Sequence, residues 1–461
     1  MRATSAMALR DDMLSWGRAH RALHEVRRPG FAEEAPAMLG GQAPVLAYGM
    51  GRSYGDSCLN PGGTLLDMRG LDRWIAFDQE AGLIEVEAGL TLADILEQLH
   101  RVAAPGRCWF LPVTPGTKFV TVGGAIANDV HGKNHHTAGC FGHHLISFRL
   151  LRSGGTVRRC SPTENADLFA ATIGGLGLTG LILSATIQLK PVPSLWMEVE
   201  DIRYRDLHAF HALTAESADW DYTVAWVDCL AGGAELGRGI FTRARHAVTD
   251  RAPPPPRLAP RLSMPMDAPG FLLNGMTVGA FNALYWRRAP ERPIRRIGPY
   301  EPVFYPLDAI RGWNRLYGVA GFYQYQCVVP HAASAEAVPA LLRAVAEARD
   351  ASFLAVLKTL GDVRSPGMLS FPMPGVTLAL DLPNRGTRTH DLLNRLDAIT
   401  AGAGGRIYPA KDGRVSPGDF QRGFPNWRDF ARHVDPHFSS SFWRRVSAPA
   451  GHPTRGDVAP C

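Results

Sequence analysis

The chain has 461 residues, 46% hydrophobic and 20% charged, a balance that excludes a disordered protein and predicts two or three globular domains. A formal charge of +6 permits contact with anionic lipid or phosphorylated ligands, but no basic run interleaved with aromatics points to nucleic acid. Seven scattered cysteines without a CxxC argue for a reducing compartment and against a disulfide framework or a thiolate zinc site. No apolar run is long enough for a spanning helix, and Asp11 and Asp12 interrupt the stretch a secretory signal needs. A cytoplasmic or peripheral membrane-associated protein is the expectation.

In chain order, VLAYG (45–49), TLLDM (64–68), LIEVEAG (83–89) and LILSATIQL (181–189) read as strands. TLADILEQLHRV (91–102), behind Thr91 as N-cap, and NADLFAAT (165–172) read as helices. The mixture indicates α+β, without the regular strand–helix alternation of a doubly wound sheet. A boundary is placed near Pro191 and Pro193, where strands lengthen and tryptophan becomes frequent. Residues 250–261 hold five prolines and are expected to be an exposed extended loop. The apolar stretch 262–286 shows no clear period and reads either as a buried connection or as a mobile flap. From Ala332 to Leu382 an amphipathic helix precedes the strands FLAVLKTLG and VTLALDLP.

Chemistry concentrates in glycine-rich segments. Residues 115–142, PGTKFVTVGGAIANDVHGKNHHTAGCFG, hold six glycines beside His131, Lys133, His135 and His136. Glycine lets main-chain N–H groups approach a ligand closely, so a large anionic, phosphate-bearing cofactor is expected there. GMGRSYGDS (49–57) follows a strand and is built to wrap a pyrophosphate, with Ser53 as a hydroxyl donor. Gly175-Leu-Gly177-Leu-Thr-Gly180 matches GxGxxG, but a helix precedes it and a strand follows, the reverse of a Rossmann site. Metal is not expected: His135 and His136 are adjacent, and no carboxylate partner completes a ligand set. Lys358 sits inside an apolar strand, where a lysine either snorkels or faces a polar cavity. Gln324 and Gln326 fall on one strand face, suited equally to a ligand or to a packed polar network.

GRSYGD, PGTKFVTVGGAIANDVHGKNHHTAG, GGLGLTG, FYPLD with GWNRLYGVAGFYQYQ, LSFPMPG and GGRIYPAKD together resemble the flavin oxidoreductases of the vanillyl-alcohol-oxidase superfamily. Within it, the likeness is to the subfamily that oxidises polyprenylphosphoryl ribose, over nearly the whole chain. The resemblance implies a PCMH-type FAD-binding domain of two subdomains (residues 1–192), a substrate domain with an antiparallel sheet and flanking helices (193–403, with a mobile loop about 250–286), and a C-terminal segment (404–461). That segment would return to the first domain, with a disordered tail after about residue 446. FAD would be non-covalent, because Tyr54 stands where covalent relatives place a histidine.

The resemblance carries cofactor contacts onto Gly51, Arg52, Ser53, Tyr54 and Gly55, onto Pro115, Gly116, Thr117, Gly123, Gly124, Ala127 and Asn128, and onto His131, Gly132, Asn134, Gly177, Gly180 and Tyr408. It carries substrate contacts onto Tyr54, Lys133, Trp226, Gln324, Gln326, Lys358, Thr377 and Ala379. Ala379 stands where relatives carry a cysteine, and Thr377 where they carry an amide. The implied reaction is oxidation of a ribose 2′-hydroxyl on a polyprenyl-phosphate sugar, completed by an NAD(P)H-dependent short-chain keto-reductase as epimerase partner. Lys411 or His131 would take the hydroxyl proton, Lys411 being favoured as nearest the reacting group. An oxidase of a free sugar or aldonolactone on the same scaffold is the alternative.

Overall fold

The computed structural model describes residues 9–254, 260–350 and 353–449. Three short strands, Glu25–Arg27, Val45–Tyr48 and Thr64–Asp67, form a parallel sheet with Thr64–Asp67 in the middle. A five-stranded antiparallel sheet follows in the order Trp74–Asp78, Leu83–Glu87, Leu181–Gln188, Leu145–Leu151, Val157–Cys160. The helix Leu92–Val102 starts where the sequence places it, with Thr91 accepting from the Asp94 N–H, and buries Leu92, Ile95, Leu96 and Leu99. Those residues share a core with Ile84, Val86 and Ile187 of the five-stranded sheet. The Gly175–Gly180 segment links the helix Ala166–Thr172 to the strand Leu181–Gln188, the inverted context read from the sequence.

The second layer is one eight-stranded antiparallel sheet built from residues 196–407. At its centre Gly375–Pro383 lies between Phe322–Pro330 and Ala355–Leu360, in a register that pairs Gln326 with Ala379, Gln324 with Asp381 and Lys358 with Thr377. Alternation then sorts the side chains. Tyr325, Cys327, Leu357, Leu378 and Leu380 pack into the core beneath the helices His331–Ala348 and Thr387–Gly402. Gln324, Gln326, Lys358, Thr377 and Ala379 fall on the opposite face, toward the first domain. A polar row on an otherwise apolar sheet is costly unless something polar meets it.

The C-terminal segment joins this sheet before it leaves: Ile407 pairs with Cys327 and Arg406 with Val328. It then packs Phe420, Phe424, Phe430 and Phe442 against Leu46, Tyr48, Leu65 and Met13. The disordered tail expected after about residue 446 falls almost wholly outside the described residues. Val446 ends the helix Ser441–Val446 fully buried, and the Gln421 amide donates to the carbonyls of Val446 and Ala448. Residues 450–461 lie outside the described residues.

The stretch 262–286 also departs from the expected mobile loop. Gly275–Arg288 is a helix of 14 residues, capped by Asn274, whose side chain accepts from the N–H groups of Met276 and Thr277. Its period is hidden because apolar residues lie on both faces. Asn274 followed by Thr277 is the start signal that was legible. Of the proline loop, residues 255–259 lie outside the described residues. Among the described residues, no helix is long and apolar enough to cross a membrane.

Candidate active site

A cavity of about 340 Å³ runs between the two layers. Most of the residues predicted for cofactor and substrate line it: Gly51 to Tyr54, Pro115 to Thr117, Gly123, Gly124, Ala127, Asn128, His131 to Lys133, Gly177, Gly180, Gln324, Gln326, Lys358, Thr377, Ala379, Tyr408 and Lys411. Three do not line it. Gly55 packs on the far side of its loop, where an added Cβ would lie 1.7 Å from the Asp412 carbonyl oxygen. Asn134 is buried and donates to the Pro112 carbonyl. Trp226 shares the face of Val224 but lies one pleat further along the strand, beyond the cavity, where it stacks edge-on against Tyr285 and donates to the Phe353 carbonyl, while Val224 lines the cavity.

The loop around Tyr54 is fixed from both sides. The Trp16 N–H donates to the Ser53 carbonyl at 2.7 Å, and the Tyr54 N–H donates to the Ala410 carbonyl at 2.9 Å. The Arg52 guanidinium lies 3.9 Å above the Trp16 ring. The turn 408–411 is clamped as well: the Tyr408 N–H donates to the Gln326 carbonyl and its hydroxyl to the Asn128 carbonyl, both at 2.9 Å. This places the Lys411 ammonium 3.8 Å over the Tyr54 ring.

Lys411, Lys358, Lys133 and His131 therefore meet in a buried cleft, with Asp381 beside them. Burial lowers Lys411, and the nearby Asp381 carboxylate partly opposes it. Burial raises Asp381 in turn, against a 2.5 Å hydrogen bond from the Gln324 amide. Lys358 falls to about 7, from burial first and then from the charges of Lys133 and Lys411. Lys133 falls to about 8, chiefly from burial. His131 lies well below the ordinary histidine range, from burial and then from Lys358, His135 and Lys411, so its imidazole is neutral. The Gln326 amide donates to His131 Nε2 at 3.1 Å, which puts the ring proton on Nδ1; that buried atom has no hydrogen-bond partner. Phe371 and Tyr408, stacked 4.5 Å apart, flank the ring.

Sequence reasoning missed several lining residues, among them Trp16, Leu307, Asp308 and Trp313. Asp308 accepts from the Thr117 hydroxyl at 2.7 Å and from the Lys118 N–H at 2.9 Å, tying the glycine loop to the second domain. The FYPLD motif carried this signal. Asp381 was missed too, although VTLALD places it two residues beyond Ala379 on the same face.

The residues fit FAD. An added Cβ at Gly116 would project into space with nothing within 4 Å, and Gly177, at φ +75°, would meet only Leu46 and Ala47 at 3.9 and 4.0 Å. Bare backbone facing such space, with arginine and lysine close by, is the donor set a diphosphate needs. The apolar lining from Met68, Val120 and Ile182 suits aromatic rings.

Comparison with known proteins agrees. Residues 38–161 match the FAD binding domain family. The chain is 38% identical to the decaprenylphosphoryl-β-D-ribose oxidase of Mycolicibacterium smegmatis over 418 residues, 87% of this chain and 89% of that one. It is also 38% identical to a Streptomyces coelicolor protein from the mprA 5′ region, over 73% of this chain and 96% of that one. The L-gulonolactone oxidase of Mus musculus is 33% identical, but over 32% of either chain. On its cavity, its FAD-binding match and its near full-length likeness, the chain belongs to the decaprenylphosphoryl-β-D-ribose oxidase family of FAD-dependent oxidoreductases.

Proposed function

We propose that the enzyme oxidises the 2′-hydroxyl of a polyprenylphosphoryl-β-D-ribose to the 2′-ketone. A separate NAD(P)H-dependent short-chain reductase then returns the ketone as the arabinose epimer. The observation that carries this reading is the convergence of Lys133, Lys358, Lys411 and neutral His131 on the polar row of the sheet, beside bare glycine backbone. Bound FAD, held without a covalent link by the Gly51–Tyr54 and Pro115–Gly124 segments, supplies the acceptor for a hydride from the carbinol carbon.

The chain's own groups do the rest. Lys411, neutral in part because it is buried, takes the hydroxyl proton, and its charge then offsets negative charge developing in the cleft. His131, held by Gln326, offers Nδ1–H as a donor to the sugar. Lys133 and Lys358 have no ion-pair partner among the described residues, and the sugar phosphodiester supplies the missing anion. Gln324 holds Asp381 in place behind Lys411. Thr377 and Ala379 leave room on the sheet where larger side chains would narrow the sugar site. A lipid-linked substrate keeps the enzyme on the membrane as a peripheral protein.

Anaerobic reduction of the purified flavoprotein with a short-chain polyprenylphosphoryl ribose tests this. Bleaching of the flavin band by this compound, and not by ribose or aldonolactones, is the expected result. Bleaching by aldonolactones alone overturns the substrate assignment.

A further inference from the structure

The helix Gly275–Arg288 turns the usual amphipathic arrangement outward. Val278 and Asn282 are its buried positions, and Trp286 anchors it by donating to the Tyr204 carbonyl. On the outer side Met276, Ala280 and Leu284 follow at four-residue spacing, one above another. Met276 is 83% and Leu284 69% exposed; in the segment before the helix Phe271 is 74% and Met266 72% exposed. Large apolar side chains this exposed and this contiguous mark a contact surface, and scattered surface leucines do not.

The charge around them has one sign. Between residues 261 and 292 the chain holds Arg261, Arg287, Arg288 and Arg292, all exposed, against Asp267 and Glu291. Both acids are already engaged, Asp267 by Arg18 and Glu291 by Arg203. Arg287, Arg288 and Arg292 form no ion pair among the described residues. An apolar stripe edged by unneutralised arginine is the pattern of an interfacial helix on an anionic lipid surface.

The same surface is continuous with the cavity. Leu262 pairs with Ile310, and Arg315 donates to the carbonyls of Met264 and Pro265, laying the 262–272 segment along residues 307–315, whose Leu307, Asp308 and Trp313 line the cavity. Tyr285 and Phe281 of the helix reach Trp226 and Phe353, next to the lining residue Leu354.

We propose that the outer face of helix Gly275–Arg288 and the segment 262–272 docks on an anionic phospholipid bilayer and sets the cavity mouth at the lipid surface. Phe271, Met276 and Leu284 enter the acyl boundary, while Arg287, Arg288 and Arg292 meet lipid phosphates. The proposal deepens the substrate reading and rests on it only for what is passed from bilayer to cavity.

The test is flotation of the full-length flavoprotein with phosphatidylcholine vesicles, with and without phosphatidylglycerol. Binding to the mixed vesicles at low salt, little binding to phosphatidylcholine alone, and release by added salt are expected. A combined Phe271→Ser, Met276→Ser, Leu284→Ser variant should bind about tenfold more weakly or worse. It should keep its flavin spectrum, melting temperature and turnover of a soluble short-chain substrate. The proposal is overturned if the parent fails to float with the mixed vesicles, or if the triple variant floats as well as the parent. It is equally overturned if the parent is a lipid-free dimer that the triple variant dissociates, since a second copy then covers the face. Failure of the soluble substrate to reduce the flavin, with vesicle binding intact, removes the substrate reading and leaves the docking face standing.

Discussion

Inside the cleft and on the outer face of helix Gly275–Arg288, side chains sit on the wrong side of the usual partition, in opposite senses. The cleft buries three lysines and a histidine beside one another, with Asp381 and Asp308 as the nearby carboxylates. The helix exposes methionine, leucine and phenylalanine beside arginine. A buried cation costs stability through lost hydration, whereas an exposed methionine costs almost nothing in a folded monomer. The cleft is therefore under electrostatic strain that the anion proposed above would relieve, and the outer face is simply unsatisfied. That distinction predicts different responses to substitution.

The largest effect belongs to Lys411. Lys411→Ala should slow flavin reduction by about 10²–10⁴-fold, the range for loss of a positioned proton acceptor, while the protein remains yellow. Stopped-flow reduction under anaerobic conditions measures it; a variant that reduces at the parental rate removes Lys411 from the chemistry. Next comes Lys358→Met. Losing a charge-assisted contact of about 1.5–3 kcal/mol should weaken substrate binding by roughly 10–150-fold. The same change should stabilise the ligand-free protein. Lys358 sits near 7 when folded against 10.5 unfolded, so the unfolded chain binds more protons between those values and stability rises with pH across that window. Lys358→Met should flatten the rise and raise the melting temperature most at neutral pH. A variant that melts lower at neutral pH would show that the lysine is not strained.

A smaller effect separates Lys411 from its neighbours. If Lys411 is the proposed proton acceptor, its neutral amine is the working form, so the reduction rate should climb with pH and level off above the lowered Lys411 pKa. Asp381 raises that pKa, and Asp381→Asn should therefore move the inflection down by about one pH unit. An inflection that stays put, or moves up, would assign the titration to another group.

How much of this was legible in the sequence follows the same division. The glycine segments, Lys358 and the Gln324–Gln326 pair could be singled out because each breaks a local rule: too many glycines for turns, or a polar side chain in an apolar strand; Lys411, in a turn, was reached only through the family resemblance. Asp308 and Asp381 break no local rule, since an aspartate after Leu307 or Leu380 looks like a strand end. Their importance comes from register and from contacts across nearly two hundred residues, as between Asp308 and Thr117. Trp226 failed for a related reason. It shares the cavity-side face with Val224, and what excludes it is position along the strand, which a sequence pattern does not give. The helix at 275–288 escaped because periodicity finds helices that bury one apolar face, and this one carries apolar residues on both.

The smallest effect is the most discriminating for the outer face. Met276→Ser and Leu284→Ser should each change unfolding free energy by less than about 0.5 kcal/mol, as exposed substitutions away from caps and cores do. Val278→Ser, on the buried side of the same helix, should cost several times as much, because it places a hydroxyl in a packed apolar site. Chemical denaturation of the three variants settles the contrast. If the outer substitutions destabilise like the inner one, the stripe packs against other parts of the chain and is not a docking face. If they are silent in stability yet lower vesicle affinity, the apolar exposure serves contact with something outside the fold.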